Sequence, residues 1–132
     1  MSSFEGLKVL IVEDDPMLRE VLKDLFAGAN ALVLEAENGA QAVGLAEKEH
    51  IDIIFSDARM PGGDGLALAR SLQKMEGKKP ILFLCSGYND TSPEEAAKLN
   101  IAKVFEKPFD QKLMLEEILN AIKVSCNPSR ST

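Results

Sequence analysis

A chain of 132 residues is long enough for one domain with its own apolar core, so neither a disulfide nor a structural metal is required for folding. The formal net charge of -6 argues against non-specific nucleic-acid binding, which needs a basic surface. No apolar run approaches the ~20 residues that cross a bilayer, and Met1 to Gly6 lack the pattern of a secretory signal, so the cytosol is the expected compartment.

Leu7 to Val12 is a short apolar run rich in branched residues, hence a buried strand. Three acids follow it: Glu13, Asp14 and Asp15. Pro16 then opens an amphipathic helix with Leu18, Val21, Leu22 and Leu25 on one face. Asp before Pro is a helix N-cap signal, which accounts for Asp15 but not for Glu13 or Asp14. Gly28 ends that helix. Ala31 to Ala36 reads as a second strand, and Asn38 with Gln41 as the cap of a helix running to about His50. Ile51 to Phe55 is a third strand that drives straight into Asp57. After Pro61, Gly62 and Gly63, Asp64 caps a third helix with Leu68, Leu72 and Met75 on one face.

Ile81 to Cys85 is a fourth strand, ending at Ser86 and Gly87. Cys85 reads as a small buried hydrophobe, and its spacing to Cys126 matches no metal pattern. Ser92 and Pro93 open a short, Ala-rich helix with little apolar surface. Ala102 to Phe105 is a brief fifth strand, broken by Lys107 and Pro108. Asp110 caps a last helix carrying Leu115, Ile118, Leu119 and Ile122. Five alternations of strand and helix, joined by short connections, predict an α/β fold: a doubly wound parallel sheet with helices on both faces.

In such a sheet the carboxyl ends of the strands share one edge, where ligands bind. The residues that follow those ends are Glu13 and Asp14, Asp57, Ser86 and Lys107, with Glu35 to Glu37 fitting less clearly. Carboxylates gathered at one place repel unless a cation joins them. A hard divalent ion with oxygen ligands, Mg²⁺ or Mn²⁺, is the natural remedy, and it bridges to phosphate. Lys107 and Ser86 would add a positive charge and a hydroxyl donor for a transferring phosphoryl group. Asp57, alone at its strand end beside a Gly-rich loop, is the best candidate nucleophile, since aspartate can form an acyl phosphate.

Ile-Val-Glu-Asp-Asp-Pro at 11–16, Asp-Ala-Arg-Met-Pro-Gly-Gly-Asp-Gly at 57–65, Ser-Gly at 86–87 and Lys-Pro-Phe at 107–109 together resemble the receiver domain of bacterial two-component response regulators. The resemblance covers about Leu7 to Val124. It implies a receiver domain over residues 1–124 and the five-stranded order 2-1-3-4-5 of the flavodoxin-like fold with five helices; residues 125–132 read from their own composition as a polar, frayed tail.

It also implies that Asp57 is the phospho-acceptor, served by a histidine kinase or a phosphotransfer protein. Glu13, Asp14, Asp57 and the backbone carbonyl of Arg59 would bind Mg²⁺, Ser86 would be the switch hydroxyl, and Lys107 would contact the phosphoryl group. Such a chain is a signalling receiver rather than an enzyme with turnover: it catalyses only its own phosphorylation and dephosphorylation. Its output goes to a protein partner, with no direct nucleic-acid or membrane contact, from a monomer or a phosphorylation-dependent dimer.

One departure concerns output. Where the family often carries an aromatic switch residue, three positions before the lysine, this chain has Val104. The aromatic is Phe105, and adjacent strand residues face opposite ways, so Phe105 should not replace it. Arg59 and Tyr88, each two residues beyond a site residue, are expected to shield the acyl phosphate from water. An aspartate-nucleophile phosphatase is a rival reading, but it would carry an acid at position 59. A nucleotide or flavin binder would need a Gly-rich phosphate loop where Glu13, Asp14 and Asp15 stand. A receiver that binds its partner without phosphorylation is the third alternative.

Overall fold

The apolar runs become strands because each carries side chains that two layers of helices must cover. A computed structural model describes residues 4–58, 65–77, 79–86, 93–106 and 110–126. Among these, strands and helices alternate: β1 (Lys8–Val12), α1 (Pro16–Gly28), β2 (Leu32–Ala36), α2 (Gly39–Lys48), β3 (Ile53–Asp57), α3 (Gly65–Gln73), β4 (Ile81–Ser86), α4 (Pro93–Lys98), β5 (Ile101–Glu106) and α5 (Gln111–Cys126). The five strands are parallel, in the order β2-β1-β3-β4-β5.

Alternation along the strands divides the core in two. Leu10, Val12, Ile54, Leu82 and Leu84 pack with Ala42 and Ala46 of α2 and Leu68, Ala69 and Leu72 of α3. Val9, Ile11, Ile53, Phe55, Phe83 and Cys85 pack on the other face, with Leu22 and Phe26 of α1 and Met114 and Ile118 of α5. A chain of phenylalanine rings, T-shaped or tilted to one another, runs through this second layer. Phe4 lies 5.3 Å from Phe26, Phe26 lies 5.7 Å from Phe55, and Phe55 lies 6.2 Å from Phe105. Phe4 precedes the first strand and carries no periodic signal, yet it is fully buried, and its N–H donates to the Ala29 carbonyl at 2.8 Å.

The caps follow the local chemistry. Asp15 accepts from the Met17 N–H at 3.0 Å, Asn38 from the Gln41 N–H at 2.9 Å, and Asp110 from the Leu113 N–H at 2.9 Å. The Gln41 side chain reaches back one residue beyond the cap, accepting from the Glu37 N–H at 2.8 Å. Asp64 and Ser92, the other expected caps, lie outside the described residues.

α1 ends at Gly28, as expected, and the chain turns out of it through Asn30, whose φ is 75°. Asparagine tolerates this left-handed conformation because its side chain is short and polar. α5 runs to Cys126, so Ser125 and Cys126 are helical rather than part of a frayed tail. No Gly or Pro interrupts α5, and the first breaker is Pro128, which disfavours helix at the residue before it.

Phe26 joins α1 to the sheet through Phe55 and to the N-terminal segment through Phe4, so its truncation leaves a cavity that neighbouring rings cannot fill. Phe26→Ala is expected to lower unfolding free energy by about 3–5 kcal/mol, read as a shifted urea midpoint at unchanged m-value.

Candidate functional site

The register brings the strand ends level. Val12 lies opposite Ala36 on one side and Ser56 on the other, Asp57 opposite Cys85, and Ser86 opposite Glu106. The chain order reverses between β1 and β3, since β2 lies outside β1 and the later strands lie beyond β3. A crevice opens at such a switch point, at the carboxyl ends of the strands.

Three carboxylates meet there. Glu13, Asp14 and Asp57 each offer an oxygen, and these oxygens lie within 4.8 Å of one another. Glu13 is 3% exposed, Asp57 is partly buried and Asp14 faces solvent. The backbone explains how Glu13 comes to be buried. Its N–H donates to the Ala36 carbonyl at 3.1 Å, extending the line of β1 by one residue beyond the strand. One of its carboxylate oxygens accepts from the Asp15 N–H at 3.1 Å, while Asp15 turns its own side chain to cap α1. A donor set of oxygens alone, from closely placed carboxylates, suits a hard divalent cation.

On the β3 side the Ala58 N–H donates to the Cys85 carbonyl at 2.9 Å, carrying the sheet pairing past Asp57. The Ser56 hydroxyl, fully buried, donates to the Asp57 carbonyl at 2.9 Å. The Gly65 N–H donates to the Ala58 carbonyl at 3.0 Å, which draws the start of α3 against the strand end. A Cβ at Gly65 would stand 2.8 Å from the Asp57 carbonyl oxygen and 2.7 Å from Leu84 Cδ2.

Ser86 is buried at the end of β4, one residue beyond the register partner of Asp57. Val104 is half-buried and packs with the layer that contains Leu84, its register partner. Phe105 packs in the opposite layer, with Phe55 and Phe83. Arg59, Tyr88 and Lys107 lie outside the described residues.

Several contributors carried no clear sequence signal. Arg19, one turn into α1, donates from Nη1 to the Glu13 carbonyl at 2.7 Å and from Nε to Glu35 at 3.3 Å. Lys23 stands 3.7 Å from the same Glu35 carboxylate. Glu35, the acid that fitted less clearly at the end of the second strand, is thus the counter-charge for α1. Ser56 acts on a backbone carbonyl of β3, and Gly65 leaves room for that carbonyl and for Leu84, neither of which a reading of side-chain chemistry along the chain shows.

Gly65→Ala is expected to destabilise the fold by about 1–3 kcal/mol, as overpacking against backbone does, with a lowered melting temperature as the readout.

Residues 9–119 match the family model described as response regulator receiver domain. The chain is 28% identical over 116 residues to sporulation initiation phosphotransferase F of Bacillus subtilis, covering 88% of this chain and 90% of that protein. It is 27% identical over 123 residues to the transcriptional regulatory protein GlrR of Escherichia coli, covering 93% of this chain but 28% of that protein. Among solved structures, a CheY-like response regulator receiver domain from Methylobacillus flagellatus superposes with a TM-score of 0.79 at 29% identity, covering 88% of this chain and 98% of that one.

Proposed function

The chain belongs to the response regulator receiver domain family, and from that premise we propose that Asp57 is its phospho-acceptor, charged by a histidine kinase or a phosphotransfer protein. The observation that carries this reading is the meeting of Glu13, Asp14 and Asp57 within 4.8 Å at the switch point of the sheet. The Asp57 carboxylate attacks phosphorus in line with the departing imidazole nitrogen. The P–N bond breaks as the P–O bond forms, and the imidazole leaves to take up a proton. A bound Mg²⁺ or Mn²⁺ would offset the repulsion among the acids and neutralise charge on the phosphoryl oxygens.

Glu13 and Asp14 would hold that ion, together with Asp57 and the backbone carbonyl of Arg59. The Ser86 hydroxyl donates to a phosphoryl oxygen, and Lys107, next in sequence after Glu106, supplies a positive charge. Burial of Glu13 and Ser86 supports this division of labour, because fixed groups need not reorganise when charge arrives. The compartment is the cytosol; among the described residues no helix is long and apolar enough to cross a membrane.

Output goes to a protein partner over α4, β5 and α5. Val104 carries no ring, so the switch couples Ser86 to that surface without an aromatic partner at this position.

Intact-mass analysis tests the central step. With acetyl phosphate and Mg²⁺ the wild type gains one phosphoryl group, whereas Asp57→Asn gains none, and chelation of the metal abolishes the gain. No gain in the wild type, or equal gain in both proteins, refutes the assignment. A second measurement concerns timing. Arg59 and Tyr88 shield the acyl phosphate from water, so Arg59→Ala and Tyr88→Ala should each shorten the lifetime of phospho-Asp57. An unchanged decay rate removes both residues from that role.

A further inference from the structure

Arg19 stands where a cation is not expected. Its guanidinium is fixed beside an acidic site that, on the reading just given, must attract a divalent cation. Two bonds hold it there, Nη1 to the Glu13 carbonyl at 2.7 Å and Nε to Glu35 at 3.3 Å, and the side chain is only 17% exposed. The Glu13 carbonyl belongs to the peptide that joins Glu13 to Asp14. The same Glu13 residue donates its N–H to Ala36. It is therefore gripped on one side by the end of β2 and on the other by α1. Arg19 in turn is seated by its own N–H, which donates to the Asp15 carbonyl at 2.9 Å in the first turn of the helix.

The two donors are part of one planar fork, so Nε held on Glu35 fixes the direction from which Nη1 meets the carbonyl of the Glu13–Asp14 peptide plane. That plane governs where the two neighbouring carboxylates lie relative to each other. We infer that Arg19 is a positioning residue, which orients the Glu13–Asp14 peptide so that both carboxylates face the cation, with Glu35 cancelling the charge it brings.

The inference rests on the metal-binding reading of the site, and it makes a prediction of sign. A bystander cation repels Mg²⁺, so its removal tightens metal binding. Loss of a positioning residue loosens it. The test is titration of Mg²⁺ by calorimetry into wild type, Arg19→Ala and Arg19→Lys, with the metal-free melting temperature of each. Arg19→Ala should weaken Mg²⁺ binding by about tenfold, in the range typical of groups that orient metal ligands. Arg19→Lys, a point donor able to satisfy one acceptor but not both, should fall between.

A merely structural role lowers the metal-free melting temperature and leaves the affinity unchanged. Unchanged or tightened binding in Arg19→Ala overturns the inference alone. If Arg19→Ala does not fold, Arg19→Lys decides: weakened binding upholds the inference and wild-type affinity overturns it. Absence of saturable Mg²⁺ binding in the wild type overturns the reading of the site, and this inference with it.

Discussion

Glu13, Asp14 and Asp57 hold three carboxylates within 4.8 Å, an arrangement that a free chain avoids. Repulsion at such distances is roughly 1–3 kcal/mol per pair, nearer the lower figure for exposed Asp14. The opposing term is larger. β1 and β3 bury Val9, Leu10, Ile11, Val12, Ile53, Ile54 and Phe55, and each such side chain contributes about 1.5–3 kcal/mol. The apolar strands therefore set where the acids stand, and electrostatics must adapt to that placement. Much of the local structure serves the adaptation: the Asp15 N–H on the Glu13 carboxylate, the start of α3 drawn against the β3 end, and Arg19 on the Glu13 carbonyl.

The two faces of the sheet have separate tasks. The face under α1 and α5 is aromatic and locks the strands from below, with Phe55 only two residues before Asp57. Phe105 belongs to this face and lies 5.6 Å beneath the Lys103 ammonium, which is also paired with Glu117 of α5. The other face is aliphatic and small, built on alanines of α2 and α3. Val104 packs there, beside Leu84, so the β5 residue that shares a face with the end of β4 is aliphatic. Ser86 thus ends its strand above an aliphatic layer, while the ring of Phe105 packs in the opposite, aromatic one.

Legibility differed by residue for a physical reason. Asp57 was readable because a carboxylate directly after a buried apolar run has few structural excuses. Glu13 and Asp14 were readable for the same reason, once Asp15 had been accounted for as a cap. Arg19 was not. On α1 it is simply a basic residue on an amphipathic helix, and its role exists only because Glu35 and the Glu13 carbonyl arrive from two strands. Gly65 read as the last letter of a motif, whereas its reason is the Asp57 carbonyl oxygen and Leu84 lying where a Cβ would go. Phe4 lacked any periodic context, and its burial follows from the hydrogen bond to Ala29 that folds the N-terminal segment under α1.

By itself, then, the sequence determined the alternation of strand and helix, the parallel sheet, most helix caps and the identity of the acids. Each of these follows from hydrophobic periodicity or from chemistry within a few residues along the chain. Only the tertiary structure decided which oxygens meet, how deeply Glu13 is buried, and what holds its peptide. Those properties depend on strand register and on groups dozens of residues apart, and no local pattern encodes the distance between them.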